Sequence, residues 1–298
     1  MAITAAQVKE LREKTGVGMM ECKKALTESD GDLENAILYL RERGMSRAAK
    51  KAGRTAAEGM VDIYVNDAQN AGVLVELNCE TDFVAKNEDF SGFARDIAKL
   101  ALEKKSSNVD ELLKMELNGS TVQSRLTELI AKIGENMNLR RVHVCSATNG
   151  VVTGYSHMGG KIGTLVVLEG NTGNDVKALG KDIAMHIAAV APRYLVESEV
   201  NPAELEVEKE LAKKKLEEEG KPADMIEKIM MGQMAKFYKE ICLTKQPFVK
   251  DPGTSVEKHV KSSGTNTTIA SFARFQLGEG IEKKKENFAA EVAAAVKG

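Results

Sequence analysis

The chain predicts an α+β fold built on a duplicated core, and three observations carry that prediction. Glycines recur 13 residues apart at Gly59 and Gly72 and again at Gly150 and Gly163, with Tyr64 and Tyr155 each five residues after the first glycine of the pair. The second glycine of each pair opens an apolar run, Val73-Leu74-Val75 or Thr164-Leu165-Val166, and a helical pattern follows through Asp96-Ile97-Ala98 or Asp182-Ile183-Ala184. Each half therefore reads as a β-hairpin, a third strand segment and a packing helix. The remaining segments, at the N-terminus and over 201–240, carry helical spacing and strong charge. With 298 residues, 43% hydrophobic, 29% charged, 4% aromatic and no tryptophan, the composition suits a soluble, helix-rich protein of about two domains.

Residues 1–44 predict a three-helix unit. Thr4 can cap a helix through about Lys14 with Val8 and Leu11 inward, and Gly16-Val17-Gly18 breaks it. A second helix runs from Met19 or Met20 to about Glu28, Asp30-Gly31-Asp32 breaks again, and a third runs from Leu33 to Arg43, closed by Gly44. The arrangement, with its Gly-x-Gly-Met-Met turn, resembles a ubiquitin-associated-type docking module. Val17, Met19 and Met20 either form an exposed contact or close the small core. Residues 45–58 then read as a basic linker. Six basic residues stand against one acidic between Arg41 and Arg54, without the interleaved aromatics that base stacking would use.

Core half 1 spans 59–140, and its most informative stretch is VLVELNCETDFVAKNEDFSGF at 73–93. Val73 to Leu77 has the length and β-branched content of a buried strand, and from Phe90 the spacing of Phe93, Ile97, Leu100 and Ala101 is helical. Thr81, Asp82, Phe83 and Val84 lie between the two. Buried, Phe83 is ordinary core; exposed, it is an apolar wedge beside a carboxylate. The duplication favours exposure. Gly72 to Asp96 is 24 residues, whereas Gly163 to Asp182 is 19, and the extra five fall where CETDFVAKN lies. A fold that closes without those residues in one half is free to use them as a functional protrusion in the other.

Core half 2 spans 141–200 and resumes over 241–277. Its hairpin turn, Tyr155-Ser156-His157-Met158-Gly159-Gly160, places His157 where it is either solvated or in contact beside the first half's loop. Between the two pieces, 201–240 predicts an antiparallel coiled-coil arm. Gly220 and Pro222 separate its helices, with Leu205, Leu211 and Leu216 facing Ile226, Ile229, Met230, Met234 and Phe237. A strand is expected near Ile269 to Phe275. Residues 278–298 close with a helix from Ile281 to about Val296, with Phe288, Val292 and Val296 in one stripe.

The chemistry that is missing narrows the function. No phosphate-binding G-x-x-x-x-G-K-[ST] loop, no G-x-G-x-x-G after a strand and no nucleophile elbow occurs, so an enzyme reading lacks support. Cys22, Cys79, Cys145 and Cys242 lie far apart, and His143, His157, His186 and His259 are scattered, so no metal site and no cofactor are expected. A net charge of −2 implies no general affinity for nucleic acid or acidic membrane. No apolar run approaches the roughly 18 residues of a membrane span, and the N-terminus lacks signal-peptide character, so a cytoplasmic location is expected.

Several segments in order resemble bacterial translation elongation factor Ts. They are VKELREKTGVGMMECKKAL (8–26), TDFVAKN (81–87), KIGENMNLRRV (132–142), GYSHMGGKIG (154–163), MHIAA (185–189), LTKQPFV (243–249) and GEGIEKKKENFAAEVAA (278–294). The resemblance covers essentially the whole chain and departs from the family pattern mainly in the arm and its tip. It implies a guanine nucleotide exchange factor for elongation factor Tu, engaging both the GDP-bound and nucleotide-free partner, with no covalent chemistry of its own. It further implies that the N-terminal module and the C-terminal helix, with Val17, Met19, Met20, Phe288 and Val292, grip the partner. The loop of Thr81, Asp82, Phe83 and Val84 would intrude near the partner's Mg2+, with His157 assisting. The arm is associated with a homodimer, a 2:2 complex or further partner contacts. The competing reading is a non-catalytic adaptor or holdase that uses the terminal module and the arm.

Overall fold

The computed structural model describes residues 3–282, apart from the side chain of Asp224. The expected C-terminal helix, with Phe288 and Val292, lies outside the described residues. Helices α1 (Ala5–Thr15), α2 (Met19–Glu28) and α3 (Leu33–Lys51) form the N-terminal unit around Leu11, Cys22, Ala25, Leu26 and Ala36. Thr4 caps α1 with a reciprocal bond to Gln7, and Asp32 caps α3 through the Asn35 N–H. The third helix does not stop at Gly44. It continues to Lys51, and Gly44 faces a later helix, Val122–Ile133, where an added Cβ would lie 3.1 Å from that of Ala131. Gly44 thus serves close helix packing rather than termination, and much of the expected linker is helix.

The core follows as β1 (Glu58–Val65), β2 (Ala71–Cys79), α4 (Asp82–Ala85), α5 (Glu88–Lys104), α6 (Val109–Lys114), the short hairpin β3 (Glu116–Leu117) and β4 (Ser120–Thr121), α7 (Val122–Ile133) and β5 (Met137–Ser146). The second half contributes β6 (Gly150–His157), β7 (Ile162–Glu169) and α8 (Asn174–Val190). The arm α9 (Pro202–Glu218) and α10 (Ala223–Ile241) is next, then β8 (Pro247–Phe248), β9 (Asp251–Ser255), α11 (Val256–Ser262) and β10 (Thr268–Gln276). The two main sheets are antiparallel, β1-β2-β5 and β6-β7-β10, so each half centres on the second strand of its hairpin. β5 pairs with β2 through Ser146, so the first half extends past the expected boundary at 140.

Strand alternation produces four layers, helices outside and two sheets inside. Val73, Val75, Leu77 and Cys79 pack with the helical residues Phe90, Phe93, Ile97 and Ala101, while Val166 and Leu168 pack with Val176, Ile183 and Ile187. The opposite faces meet through Val61, Leu74, Val152, Leu165 and Val167. The repeated glycines explain themselves here. A Cβ on Gly72 would come 2.9 Å from Val152 Cγ1, and one on Gly163 would come 2.5 Å from Val61 Cγ1, so both mark close approach of the sheets.

The arm is an antiparallel helix pair joined at Gly220, with Leu216 and Ile226 buried near its tip. Leu211 is 59% exposed, contrary to expectation. At 3.6 residues per turn it falls about 120° round the helix from Leu205, whereas Ala212 and Leu216 fall within about 20° of it.

Glu76, wholly buried on β2, joins the halves. Its carboxylate accepts from Arg140 at 2.9 Å, Arg141 at 2.5 Å, Asn78 Nδ2 at 3.2 Å and the Gly278 N–H at 2.9 Å. Adjacent strand residues normally point to opposite faces. A register shift in β5, where Glu76 pairs with Arg141 and Leu77 with Leu139, leaves Arg140 as the extra residue and lets both arginines reach one carboxylate. Burial would raise this carboxyl's pKa, but the Gly278 N–H and the two guanidiniums outweigh it and hold the group below its usual 4.5. A depressed folded-state pKa contributes stability that is complete above 4.5 and lost as pH falls through the folded value. Glu76→Gln should cost about 3 kcal/mol near neutrality by stranding the arginines. Urea unfolding from pH 7 to 3 should show the gap to wild type shrinking only below the ordinary carboxyl range; a pH-independent gap would remove Glu76 as the cause.

Candidate functional site

α4 is a single helical turn in the 80–87 segment, where the second half has only residues 170–173 between β7 and α8. Asn87 ends the excursion by capping α5 through the Asp89 and Phe90 N–H groups at 2.9 and 3.3 Å. Within the turn the side chains divide. Val84 is buried in the first half's core, whereas Phe83 is 79% exposed. Asp82 is exposed and pairs with Lys86 at 3.2 Å, and the Lys86 ammonium sits 5.8 Å from the Phe83 ring centroid. An exposed pair of this kind holds its charges weakly in water, so both remain available to a partner.

The turn is exposed but firmly seated. Glu135, just past the left-handed Gly134 that ends α7, accepts from the Thr81 hydroxyl at 2.6 Å, the Thr81 N–H at 3.0 Å and the Glu80 N–H at 3.1 Å. The Glu80 carboxylate in turn accepts from the Asn136 N–H at 2.6 Å and lies 3.5 Å from Arg54. Asn136 Nδ2 donates to the Arg54 carbonyl at 2.7 Å, and the Lys51 ammonium donates to the Gly134 carbonyl. The basic residues expected in a linker are therefore partly consumed within the chain, Arg47 also pairing with Glu21 at 2.6 Å. Cys79 donates to the Thr81 carbonyl at 3.0 Å. Its thiol is pushed up to about 12, first by burial and then by the Glu135 charge, so it is an inert support.

Met19 and Met20 open α2 at 54% and 78% exposure, while Val17 is half-buried against the N-terminal unit's core. The Gly16 turn contacts Lys132, where an added Cβ would lie 2.9 Å from Cε, and Lys132 bonds Asp89 at the start of α5 at 2.7 Å. The N-terminal turn is thus linked to the loop's C-terminal flank. His157 is exposed at the end of β6 and its Nδ1 lies 3.0 Å from the Tyr155 hydroxyl. The same hairpin turn is pinned to β1 by the Val61 N–H donating to the Gly160 carbonyl at 2.8 Å, and α4 also packs on β1.

Two groups of known proteins match this chain. The family model described as Elongation factor TS covers residues 80–279, a span that begins at the Glu80–Glu135 junction. Elongation factor Ts of Clostridium perfringens strain SM101 is 51% identical over 297 residues, covering 98% of both chains. The same-named protein of Trichlorobacter lovleyi is 49% identical over 307 residues, covering 99% of both. The chain belongs to the elongation factor Ts family.

Among the described residues, no group of histidine, cysteine or carboxylate side chains could hold a metal ion, and no helix is long and apolar enough to cross a membrane. His186 is buried, bonded to Gln246 at 2.9 Å and to the Val249 N–H at 3.2 Å, which places it in the core. Sequence reasoning missed Glu135, Glu80, Asn136 and Arg54 as supports. The available signal was an acidic residue directly after a helix-ending glycine, within the quoted KIGENMN segment.

The division within the loop has a measurable consequence. Phe83→Ala should leave thermal stability within about 0.5 kcal/mol of wild type, as for other exposed sites. Val84→Ala removes two buried carbons and should cost roughly 1.5 kcal/mol. Equal destabilisation by both in urea titrations would mean that Phe83 is packed in solution.

Proposed function

We propose that this family member is a guanine nucleotide exchange factor that binds elongation factor Tu in its GDP-bound and nucleotide-free states. The carrying observation is a large aromatic, Phe83, held in solvent beside a carboxylate on a turn anchored from beneath. In this reading Phe83 enters the partner and displaces the element supporting its Mg2+. Asp82 competes with or repels the ligands around the metal and phosphates. Met19 and Met20, with the half-buried Val17, supply docking surface on a ubiquitin-associated-like module. His157 adds contact from the adjoining hairpin, and Phe288 and Val292 would extend the grip. The chain itself forms and breaks no covalent bond.

The energetics support a wedge sharing its work with the docking surface. Coupling is reciprocal: whatever the factor's binding takes from nucleotide affinity, nucleotide takes equally from the factor's. Each tenfold gain in release rate requires lowering the barrier by about 1.4 kcal/mol. Burying one phenylalanine side chain yields roughly 1.5–3 kcal/mol, or about one to two decades. Further acceleration must come from Asp82 and the remaining contacts.

Release of a fluorescent GDP analogue from elongation factor Tu tests this directly. The wild-type chain should accelerate release, and the Asp82→Ala/Phe83→Ala double variant should bind comparably yet lose at least about tenfold of the maximal rate. Binding without any acceleration by the wild-type chain would replace exchange by the adaptor reading.

A further inference from the structure

We infer that Glu135 is a positioning residue for the wedge: its carboxylate latches Thr81 and thereby sets the direction in which Phe83 is presented. This rests on the exchange reading of the loop. The geometry is specific to presentation. Glu135 forms no hydrogen bond to Phe83 or Asp82, yet it accepts three donors at the point where the chain leaves β2, namely the Glu80 N–H, the Thr81 N–H and the Thr81 hydroxyl. Thr81 precedes the first helical residue of α4 but makes no side-chain cap to it, because its hydroxyl is committed to Glu135.

A turn of only four helical residues has little stability of its own, since nucleating a helix fixes several residues for few bonds. Its orientation must come from outside. Val84 seats it from below, Cys79 holds the Thr81 carbonyl, and Glu135 holds the two N–H groups and the hydroxyl at its entrance. Charge-assisted bonds to a carboxylate are the strongest of these.

The latch also has a firm base. Gly134 adopts φ +93°, a left-handed turn that ends α7 and swings Glu135 toward the loop. The flanking Gly134 and Asn136 are tied to Lys51 and Arg54 at the end of α3. The same corner thus fixes the wedge's entrance and the segment leading from the N-terminal unit. Such preorganisation lets binding energy act on the partner instead of ordering the loop.

Glu135→Gln and Glu135→Ala would be assayed for fluorescent GDP analogue release from elongation factor Tu across a concentration series of factor. The latch predicts that Glu135→Ala loses about tenfold of the maximal rate, with the half-saturating concentration changing less than twofold, and that Glu135→Gln retains an intermediate rate. In a Phe83→Ala background, Glu135→Ala should cost much less than tenfold, only what the placing of Asp82 contributes, because the ring it positions is gone. A multiplicative loss in that background, or a wild-type rate for Glu135→Ala, overturns the inference while leaving the exchange reading standing. Failure of the wild-type chain itself to accelerate release overturns the exchange reading instead. Amide hydrogen exchange on the free chain keeps the inference testable even then, and also if Glu135→Ala folds poorly. Glu135→Gln should speed exchange at residues 80–82 while the β2 and α5 amides keep wild-type protection, and unchanged protection at Thr81 would refute the latch.

Discussion

A wholly buried carboxylate is the constraint on which the rest of this structure depends. Glu76 lies in the central strand of the first sheet, is approached by two arginines from the next strand, and receives the Gly278 N–H from the chain leaving the second sheet. A buried charge is tolerated only when its hydrogen-bonding capacity is filled, and here the donors come from both halves of the duplication. Arg141 also bonds the Gln276 carbonyl and Glu279, and Arg140 bonds the Glu279 carbonyl. Gly278 is required at this point, since its φ is +68° and a Cβ would come 2.5 Å from the Ala57 carbonyl oxygen. The relation between the sheets, and the direction in which the chain departs after β10, both follow from one polar cluster.

With the sheets fixed, the helix-facing side of β2 can support a projection. The duplication makes the logic visible. Both halves use a hairpin, a central second strand and a covering helix, but only the first interposes α4. In the second half Gly170 to Gly173 closes the same gap directly. Phe83 therefore contributes little to the closure of its own domain, and its exposure is the conformational default of an insertion whose inward residues, Val84 and the half-buried Ala85, are already packed. An exposed apolar ring on a mobile loop would spend binding energy on being ordered. Seated between Cys79, Glu135 and Asn87, it is already in a limited set of orientations.

Much of this was legible in the sequence because the relevant signals were local or periodic. Thr4 announced a helix start, Asp30-Gly31-Asp32 announced a break, and the paired glycines announced two copies of one hairpin. The unequal spacing from strand to helix isolated residues 81–87. What escaped involved partners distant along the chain. Gly44 resembles a helix stop until Ala131, 87 positions later, is known to press against it. The split at 140 failed because the third strand of the first sheet follows four helices and a small hairpin, and pairing at that range leaves no local trace. Glu135 reaches residues 54 and 55 positions away. Leu211 was a different error: its hydrophobicity suggested the arm's seam, but helical phase places Ala212 there.

These misses share a direction that bears on how such a loop can evolve. The residues proposed to meet a partner, Phe83 and Met20, stand out because large apolar side chains held in solvent conflict with local solubility. The residues that hold them in place look ordinary, because a glutamate after a helix-ending glycine satisfies every local rule. Support is therefore hidden where display is conspicuous. In the proposed reading a substitution at Phe83 would remove contact area and leave the fold alone, whereas a substitution at Glu135 would leave the contact area intact and release its orientation. For a protein whose proposed work is to push on another's binding site, orientation has mechanical meaning: a wedge free to rotate yields, while one clamped at its base transmits its binding energy to the partner.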